Sequence, residues 1–318
     1  MNPSLQHAWY THPLPEPVSA WLDAHAPTLV GSHRLGVYGD GLQVLAVYDK
    51  SDALAAVQVL YQARIRGVMS LSTPPFCPWT GPFIAPKSQK AVAELGARKR
   101  ILEAIASALL DQGKPLINVV IGPGWEDLQP LVWAGFQASP KYTYHIDLTR
   151  SEDDLLAAMD SKRRNQVKKG AEAGYKLQPV PLSELAPLAR THLKSKNAFH
   201  EPEAFAGLFA LEKSGLVGLG VFKGEELHSW FIFQRDTHAV YYLFGGAGTA
   251  GRGDTGSWGM WACICHFKQA GIPLFDFEGS MIPEIERYFR SFGGTLVTHF
   301  AIEKKSTLQK AVSRILKR

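Results

Sequence analysis

The feature that most constrains this chain is that it repeats itself once. Residues 112–146 and 269–302 share one order of breakers and apolar runs: helix end, turn, Pro-Leu, short apolar strand, Gly turn, helix, aromatic-Gly stop, second strand. Pro115 lies 20 residues before Gly135, and Pro273 lies 20 residues before Gly293. One order at one spacing points to two copies of a single α/β unit. The alternative is two unrelated strand–helix units that share ordinary turn chemistry. Within the repeat the copies differ chemically. Where the first strand has Asn118 and Val120, the second has Asp276 and Glu278. That difference predicts one chemically competent half and one supporting half.

At 318 residues the chain is long for one core, so two domains are expected, divided near residue 150 into 1–150 and 151–318. No uninterrupted apolar run of 18 residues occurs, and the first residues lack the basic start and apolar core of a secretory signal. Cys77, Cys263 and Cys265 are too few for a disulfide framework, so reduced thiols in a cytoplasmic protein are expected. The net charge of +5 is unevenly placed. Residues 161–170 hold five basic groups and residues 304–318 hold six, with no acid in either, which leaves the remainder acidic. Two basic patches on an acidic body favour a phosphate-bearing partner: a nucleotide, tRNA or an anionic membrane surface. Two solvated helix faces with no partner are the plainer alternative.

Periodicity predicts strands over 35–48, 53–71, 115–121 and 141–148, and helices over 88–112 and 125–134. Ser72–Pro86, dense in proline and aromatics, reads as a rigid extended surface loop. A single helix is expected over 151–174, opened by a Ser151/Asp154 capping box and ended by Gly174. Its apolar line places Arg163 inward, with Arg164 and Lys168 flanking it. Helical residues near 183–214 precede three antiparallel strands at 216–223, 228–235 and 238–245, then a Gly-rich loop, a helix over 257–270 and a strand over 274–278.

The strand, Gly loop and helix at 238–270 are the strongest local signal. Free backbone N–H groups at a helix start, approached closely because glycine has no side chain, favour an anion. Gly246, Gly248 and Gly251 also fit a dinucleotide fingerprint, but the helix starts too late and the preceding strands read as hairpins, which leaves a nucleotide-dependent oxidoreductase as a minor alternative. Alternation on the strand puts Asp276 and Glu278 on one face, about 7 Å apart, where one of them serves as general base. A solvent-facing pair or a helix cap is the alternative for these acids. Arg163 is expensive to bury unless it faces a carboxylate or phosphate. The basic tail, with Leu308, Val312, Ile315 and Leu316 on one side, either packs on its own domain or touches an anionic membrane. No metal-ligand spacing occurs.

Several stretches together resemble the FemABX-like proteins, which are tandem Gcn5-related N-acetyltransferase (GNAT) folds. They are W-x-G-F at Trp133–Phe136, YTYHIDLT at 142–149, KRRNQVKKG at 162–170, WTGPFI at 79–84, YYLFGGA at 241–247 and DFEGSMIPEIERYFRSFGG at 276–294. The resemblance runs from about Gln43 to Glu303. It implies an α/β chain of mixed sheets in two tandem GNAT-like domains, without the coiled-coil arm of some members. It implies acyl transfer to an amine, from acyl-coenzyme A in the wider superfamily or from aminoacyl-tRNA in FemABX enzymes, whose acceptor is a peptidoglycan precursor. The donor loop maps onto Gly246, Gly248, Gly251, Arg252 and Gly253, and the phosphate-contacting helix onto Arg163 and Arg164. The usual acetyl-CoA signature wants Gln or Arg where this chain has Gly248, and Phe-Lys is replaced by Phe289-Arg290.

The residues support that chemistry independently. Val240–Phe244 offers backbone donors for a carbonyl oxygen, Glu278 or Asp276 takes the amine's proton, and Tyr242 or Tyr288 returns one to the leaving group. The expectation is therefore a cytoplasmic N-acyltransferase with its site in the second half. It binds no permanent cofactor, uses acyl-CoA or aminoacyl-tRNA as co-substrate, and acts on a cell-envelope precursor or another amine. A nonenzymatic protein that binds an anionic ligand or a membrane surface is the competing class.

Overall fold

The computed structural model describes residues 5–65, 67–85, 90–195, 202–210, 215–250, 255–279 and 281–306. In chain order the first elements are β1 (Gln6–Tyr10), α1 (Glu16–His25), α2 (Ser32–Leu35), β2 (Leu42–Tyr48), β3 (Leu54–Ile65), β4 (Val68–Ser72), β5 (Phe83–Ile84), α3 (Ala91–Asp111), β6 (Leu116–Ile121), α4 (Gln129–Trp133) and β7 (Gln137–Asp147). There follow α5 (Glu152–Ala158), α6 (Ser161–Glu172), β8 (Lys176–Pro179), α7 (Leu182–Ser195), α8 (Pro202–Ala210), β9 (Leu216–Lys223), β10 (Glu226–Arg235) and β11 (Ala239–Ala247). The chain ends with α9 (Thr255–Gln269), β12 (Leu274–Asp276), α10 (Pro283–Arg290) and β13 (Thr295–Lys305).

Two compact units result. One comprises Met1–Lys141 and Thr298–Arg318, the other Tyr142–Val297. These differ from the expected halves 1–150 and 151–318, because the final strand belongs with the first unit. In unit 1, β1, β2, β3 and β4 run antiparallel in that order, β6 adds parallel to β4, and β13 adds antiparallel to β6. In unit 2, β8, β9, β10 and β11 form the same antiparallel series, β12 adds parallel to β11, and β7 adds antiparallel to β12. The repeat thus folds as two copies of one mixed α/β unit. Each copy's last strand pairs in the other unit: β7 follows the first repeat but pairs with β12, and β13 follows the second but pairs with β6.

Each unit has its own core. Unit 1 packs α3 onto its sheet through Leu102, Ile105 and Leu109 against Leu45, Leu60, Val119 and Ile302. Unit 2 packs α9 onto its sheet through Met260, Ile264 and Phe267, against Phe231, Phe233, Val240 and Phe275. The aromatic-Gly stops do the same work in both. Gly135 after α4 and Gly293 after α10 take φ of 84° and 79°, which favours glycine.

Local differences from expectation have physical causes. The helix expected over 151–174 is two helices. Ser151 caps α5 by accepting from the Asp154 amide (3.1 Å), and Asp160 caps α6 by accepting from the Arg163 amide (2.6 Å). Residues 36–41 form a helical turn rather than strand. The segment 53–71 divides into β3 and β4, α4 is confined to five residues behind Pro130, and α7 and α8 divide the helical stretch near 183–214. The Pro/aromatic run is not a surface loop. Its Thr80 and Phe83 are buried, and Phe83 pairs with Val57 of β3. No helix among the described residues is long and apolar enough to cross a membrane. The basic tail helix expected at the C-terminus lies outside the described residues.

Candidate active site

In unit 2, β11 and β12 pair in parallel from Ala239↔Leu274 only as far as Tyr241↔Asp276. Beyond that pair β11 continues to Ala247, held on its other side by β10, where Trp230 faces Gly246 and Ser229 faces Ala247. A bulge lies between Ile232↔Phe244 and Phe233↔Tyr242, so Leu243 has no partner on β10. The sheet therefore splits past Tyr241. Beside this stretch of β11 lies a cavity of about 650 Å³, lined by β10, β11, the starts of α6 and α9, and the length of α10.

Arg163 is the centre of this cavity's polar wall. Its Nε donates to Ser291 Oγ of α10 (2.8 Å), and its Nη1 donates to Gln166 Oε1 (2.8 Å) and to Ser257 Oγ of α9. Its guanidinium also lies over the rings of Tyr288 (4.5 Å) and Phe292 (4.9 Å). One arginine so ties α6, α9 and α10 together. The start of α9 is an orienting dipole with its positive end in the cavity. Arg163, Lys162 and Arg287 add three cations, against the carboxylates of Asp160 and Glu284. Asp160 is engaged as the cap of α6, while Glu284 makes no side-chain hydrogen bond or ion pair among the described residues.

Two phenols line the same space. Tyr288 donates its hydroxyl proton to the Gly256 carbonyl (2.8 Å). Burial pushes its pKa well up, and the nearby Arg163 charge offsets only part of that. Burial likewise raises Tyr242, with the Tyr288 and Cys263 groups adding to the shift. Both therefore keep their protons at neutral pH and can donate them.

The structure thus brings Arg163, Tyr242, Tyr288 and Gly246 of the expected residues to one cavity. The others stand elsewhere. Asp276 is 1% exposed: it accepts from Thr143 Oγ1 (2.5 Å) and from the Glu278 amide (2.7 Å), and His145 Nε2 lies 3.1 Å from its second oxygen. Glu278 follows the end of β12 with φ 57°, so strand alternation does not place the two acids on one face, as expected, and neither lines the cavity. Gly248 donates its amide to the His228 carbonyl (3.0 Å), which takes that N–H out of reach of an anion. Arg164 donates to the Ala157 (3.0 Å) and Met159 (2.5 Å) carbonyls at the end of α5, and Lys168 is exposed away from the cavity. Gly251, Arg252 and Gly253 lie outside the described residues. Sequence reasoning missed Gln166, Ser257, Ser291, Glu284 and Arg287. Only the α10 pair, spaced i and i+3 with Tyr288 next, carried a signal for a shared helix face.

In unit 1 the corresponding place is filled among the described residues. There β6 runs on past Asn118 to Ile121, and the 73–82 segment fills the side of it that β4 vacates. Thr73 Oγ1 accepts from the Val120 amide (2.7 Å), the Thr80 amide donates to Val120, and the Trp79 ring lies tight against Gly122. The antiparallel series before the Gly loop is also not the parallel sheet of a dinucleotide fold.

No family profile and no curated protein sequence matches the chain. Solved structures do. FemX aligns with TM-score 0.62 over 93% of this chain and 96% of its own, at 12% identity. L-PGS from Bacillus licheniformis aligns at 0.57 over 96% and 98%, with 13% identity. A tandem GNAT protein from the clavulanic acid biosynthesis pathway aligns at 0.56 over 95% and 98%, with 12% identity. At such identities the likeness is one of fold. The chain therefore has the fold of tandem GNAT proteins, shared with FemX.

Proposed function

We propose that unit 2 is an N-acyltransferase that moves an acyl or aminoacyl group from a phosphate-bearing carrier to an amine. The observation that carries this is the joining, in one cavity, of an α9 N-terminus, three cations and two protonated phenols beside the β11 edge that β12 leaves past Tyr241. The carrier is acyl-coenzyme A or aminoacyl-tRNA, used as a co-substrate. Its phosphates meet the α9 start, Lys162, Arg163 and Arg287, and its acyl carbonyl lies along Tyr242–Gly246, where backbone N–H groups stabilise the oxyanion.

The chemistry then balances within the site. The amine attacks the acyl carbon and forms the C–N bond, and the C–S or C–O bond to the carrier breaks. Tyr288 or Tyr242 protonates the leaving sulfur or oxygen. The amine's surplus proton passes to a carboxylate. Glu284 on the cavity wall and Glu278, where β11 and β12 part, are the two proposed acceptors. Much of the acceleration comes from holding both substrates in register. The proposed acceptor is a cell-envelope precursor that carries a free amine. A nonenzymatic binder of anionic ligands needs the same cations but no proton donor, so the two phenols favour the enzyme.

Calorimetric titration with acetyl-CoA, longer acyl-CoAs and charged tRNA tests the reading. One donor class is expected to bind, and amine-dependent release of its carrier to follow. Absence of binding by every donor, or binding unchanged in Arg163→Ala, contradicts it.

A further inference from the structure

We infer that Asp276 is a positioning residue whose buried carboxylate pins the turn that parts β12 from β11, keeping open the β11 backbone on which the acyl group lies. The inference rests on the acyl-transfer reading above.

After the Tyr241↔Asp276 pair the chain leaves β11 at once. The Phe277 amide donates to the Tyr144 carbonyl of β7 (3.1 Å), Glu278 takes φ 57° and Gly279 takes φ 80°. A left-handed glutamate is unfavourable and persists only where neighbours hold it. Asp276 holds it: Oδ1 accepts from the Glu278 amide two residues on, closing a tight side-chain turn. The same oxygen accepts from Thr143 Oγ1, which anchors the carboxylate to β7, and His145 Nε2 lies 3.1 Å from Oδ2. Gly279 completes the turn. A side chain there would strike the Tyr142 carbonyl.

The repeat supplies an internal control. Asn118 and Val120 occupy the corresponding positions in unit 1, and β6 runs straight on, pairing through Ile121↔Phe300. Strand and turn thus differ between the copies at the residues where the sequences differ. In this assignment Asp276 does not touch substrate; it sets the distance between β12 and the Tyr242–Gly246 edge of β11.

The test uses the full chain with Asp276→Ala and Asp276→Asn. The asparagine keeps an oxygen for the Glu278 amide and for Thr143, and offers an N–H to His145. In the ligand-free protein, Asp276→Ala is expected to displace the amide NMR signals of Tyr242–Gly246 and expose the Glu278 amide to exchange. It is expected to weaken acetyl-CoA binding about tenfold or more, as the loss of a charged hydrogen-bonded anchor implies. Asp276→Asn is expected to restore both. Unmoved Tyr242–Gly246 signals in a folded Asp276→Ala protein overturn the inference, and so does an Asp276→Asn protein as impaired as the alanine variant. Should wild-type protein bind no acetyl-CoA, the coenzyme A form of the acyl-transfer reading fails. The ligand-free amide signals then decide the pinning role alone. If Asp276→Ala does not fold, Thr143→Val takes its place, with a smaller displacement of the same amides expected and none contradicting the role.

Discussion

Arg163 of α6 lays its guanidinium 4.5 Å from the ring centre of Tyr288 on α10, and the Tyr288 hydroxyl donates to the carbonyl of Gly256 at the start of α9. A cation, a phenol and a helix N-terminus are thereby locked into one arrangement. A cation beside the positive end of a helix is electrostatically unfavourable until an anion joins them. This pairing makes sense of a cavity that receives a phosphate-bearing carrier next to a proton donor.

Replacing Arg163 separates charge from geometry. Lysine keeps the charge but not the fork that reaches Ser257, Gln166 and Ser291 together. Arg163→Lys is expected to weaken donor binding about tenfold, and Arg163→Ala by more, with about 1–3 kcal/mol of lost stability from unsatisfied partners. Calorimetric binding and denaturant melts check both figures. Donor affinity in Arg163→Ala equal to wild type contradicts the assignment.

Tyr288→Phe removes one proton and one hydrogen bond. Stability is expected to fall by about 1 kcal/mol, donor affinity to hold, and turnover to drop about 10²- to 10⁴-fold. Because burial raises the Tyr288 pKa, wild-type turnover is expected to show no alkaline loss from this group between about pH 7 and 9. Rates measured against pH in both proteins test the point; equal turnover excludes Tyr288 as the proton donor.

Glu278→Gln and Glu284→Gln distinguish the two proposed proton acceptors. The true acceptor loses turnover about 10²-fold or more at pH 7 with its donor affinity retained, and the other variant stays within a few-fold. Loss in neither variant means that no side chain at these positions takes the proton.

A pH-dependent element ties α10 to β7. Glu286 Oε1 accepts from the Tyr144 hydroxyl (2.6 Å) and lies 2.8 Å from Arg290 Nε, and these contacts, the tyrosine's first, lower its pKa below the usual 4.5. A carboxyl depressed in the folded state adds stability above its unfolded pKa and loses it as pH falls through the folded value. Tyr144→Phe is therefore expected to destabilise the protein at pH 7 and to differ less from wild type near about pH 3. Melts at the two pH values check it, and a penalty independent of pH contradicts it.

Gly248 cannot accept a side chain without backbone movement, since a Cβ there falls on the Leu227 carbonyl. Gly248→Ala is expected to cost about 1–3 kcal/mol. It also breaks the clip between the Gly loop and β10, so donor affinity is expected to fall with stability. A melting temperature within a degree of wild type contradicts the packing described.

Much of the fold is legible in the sequence because it is written locally. Gly135 and Gly293, Pro115 and Pro273 mark the same turns in each copy, and the three strands before the Gly loop lie within two residues of their expected ends. The break at Asp160 is harder to see, because Asp160 caps a helix in the middle of a run that otherwise favours one. The exchange of β7 and β13 is invisible to local pattern, since a strand's partner is chosen by tertiary packing. In the site, Arg163 is conspicuous as a charge on an apolar line, and Tyr242 and Tyr288 lie in recognisable stretches. Ser257, Ser291 and Gln166 carry no such mark; they matter only because three helices meet. Asp276 and Glu278 stand out as acids absent from the other copy, yet the end of β12 and a left-handed turn, rather than strand alternation, decide where they point.

Hydrogen–deuterium exchange of the full chain, free and with acetyl-CoA or charged tRNA, tests the central claim most directly. The account predicts that one donor slows exchange at Tyr242–Ala247 and at the start of α9, and that Arg163→Ala abolishes the effect. Protection confined to unit 1, or none in either unit with both donors, would contradict it.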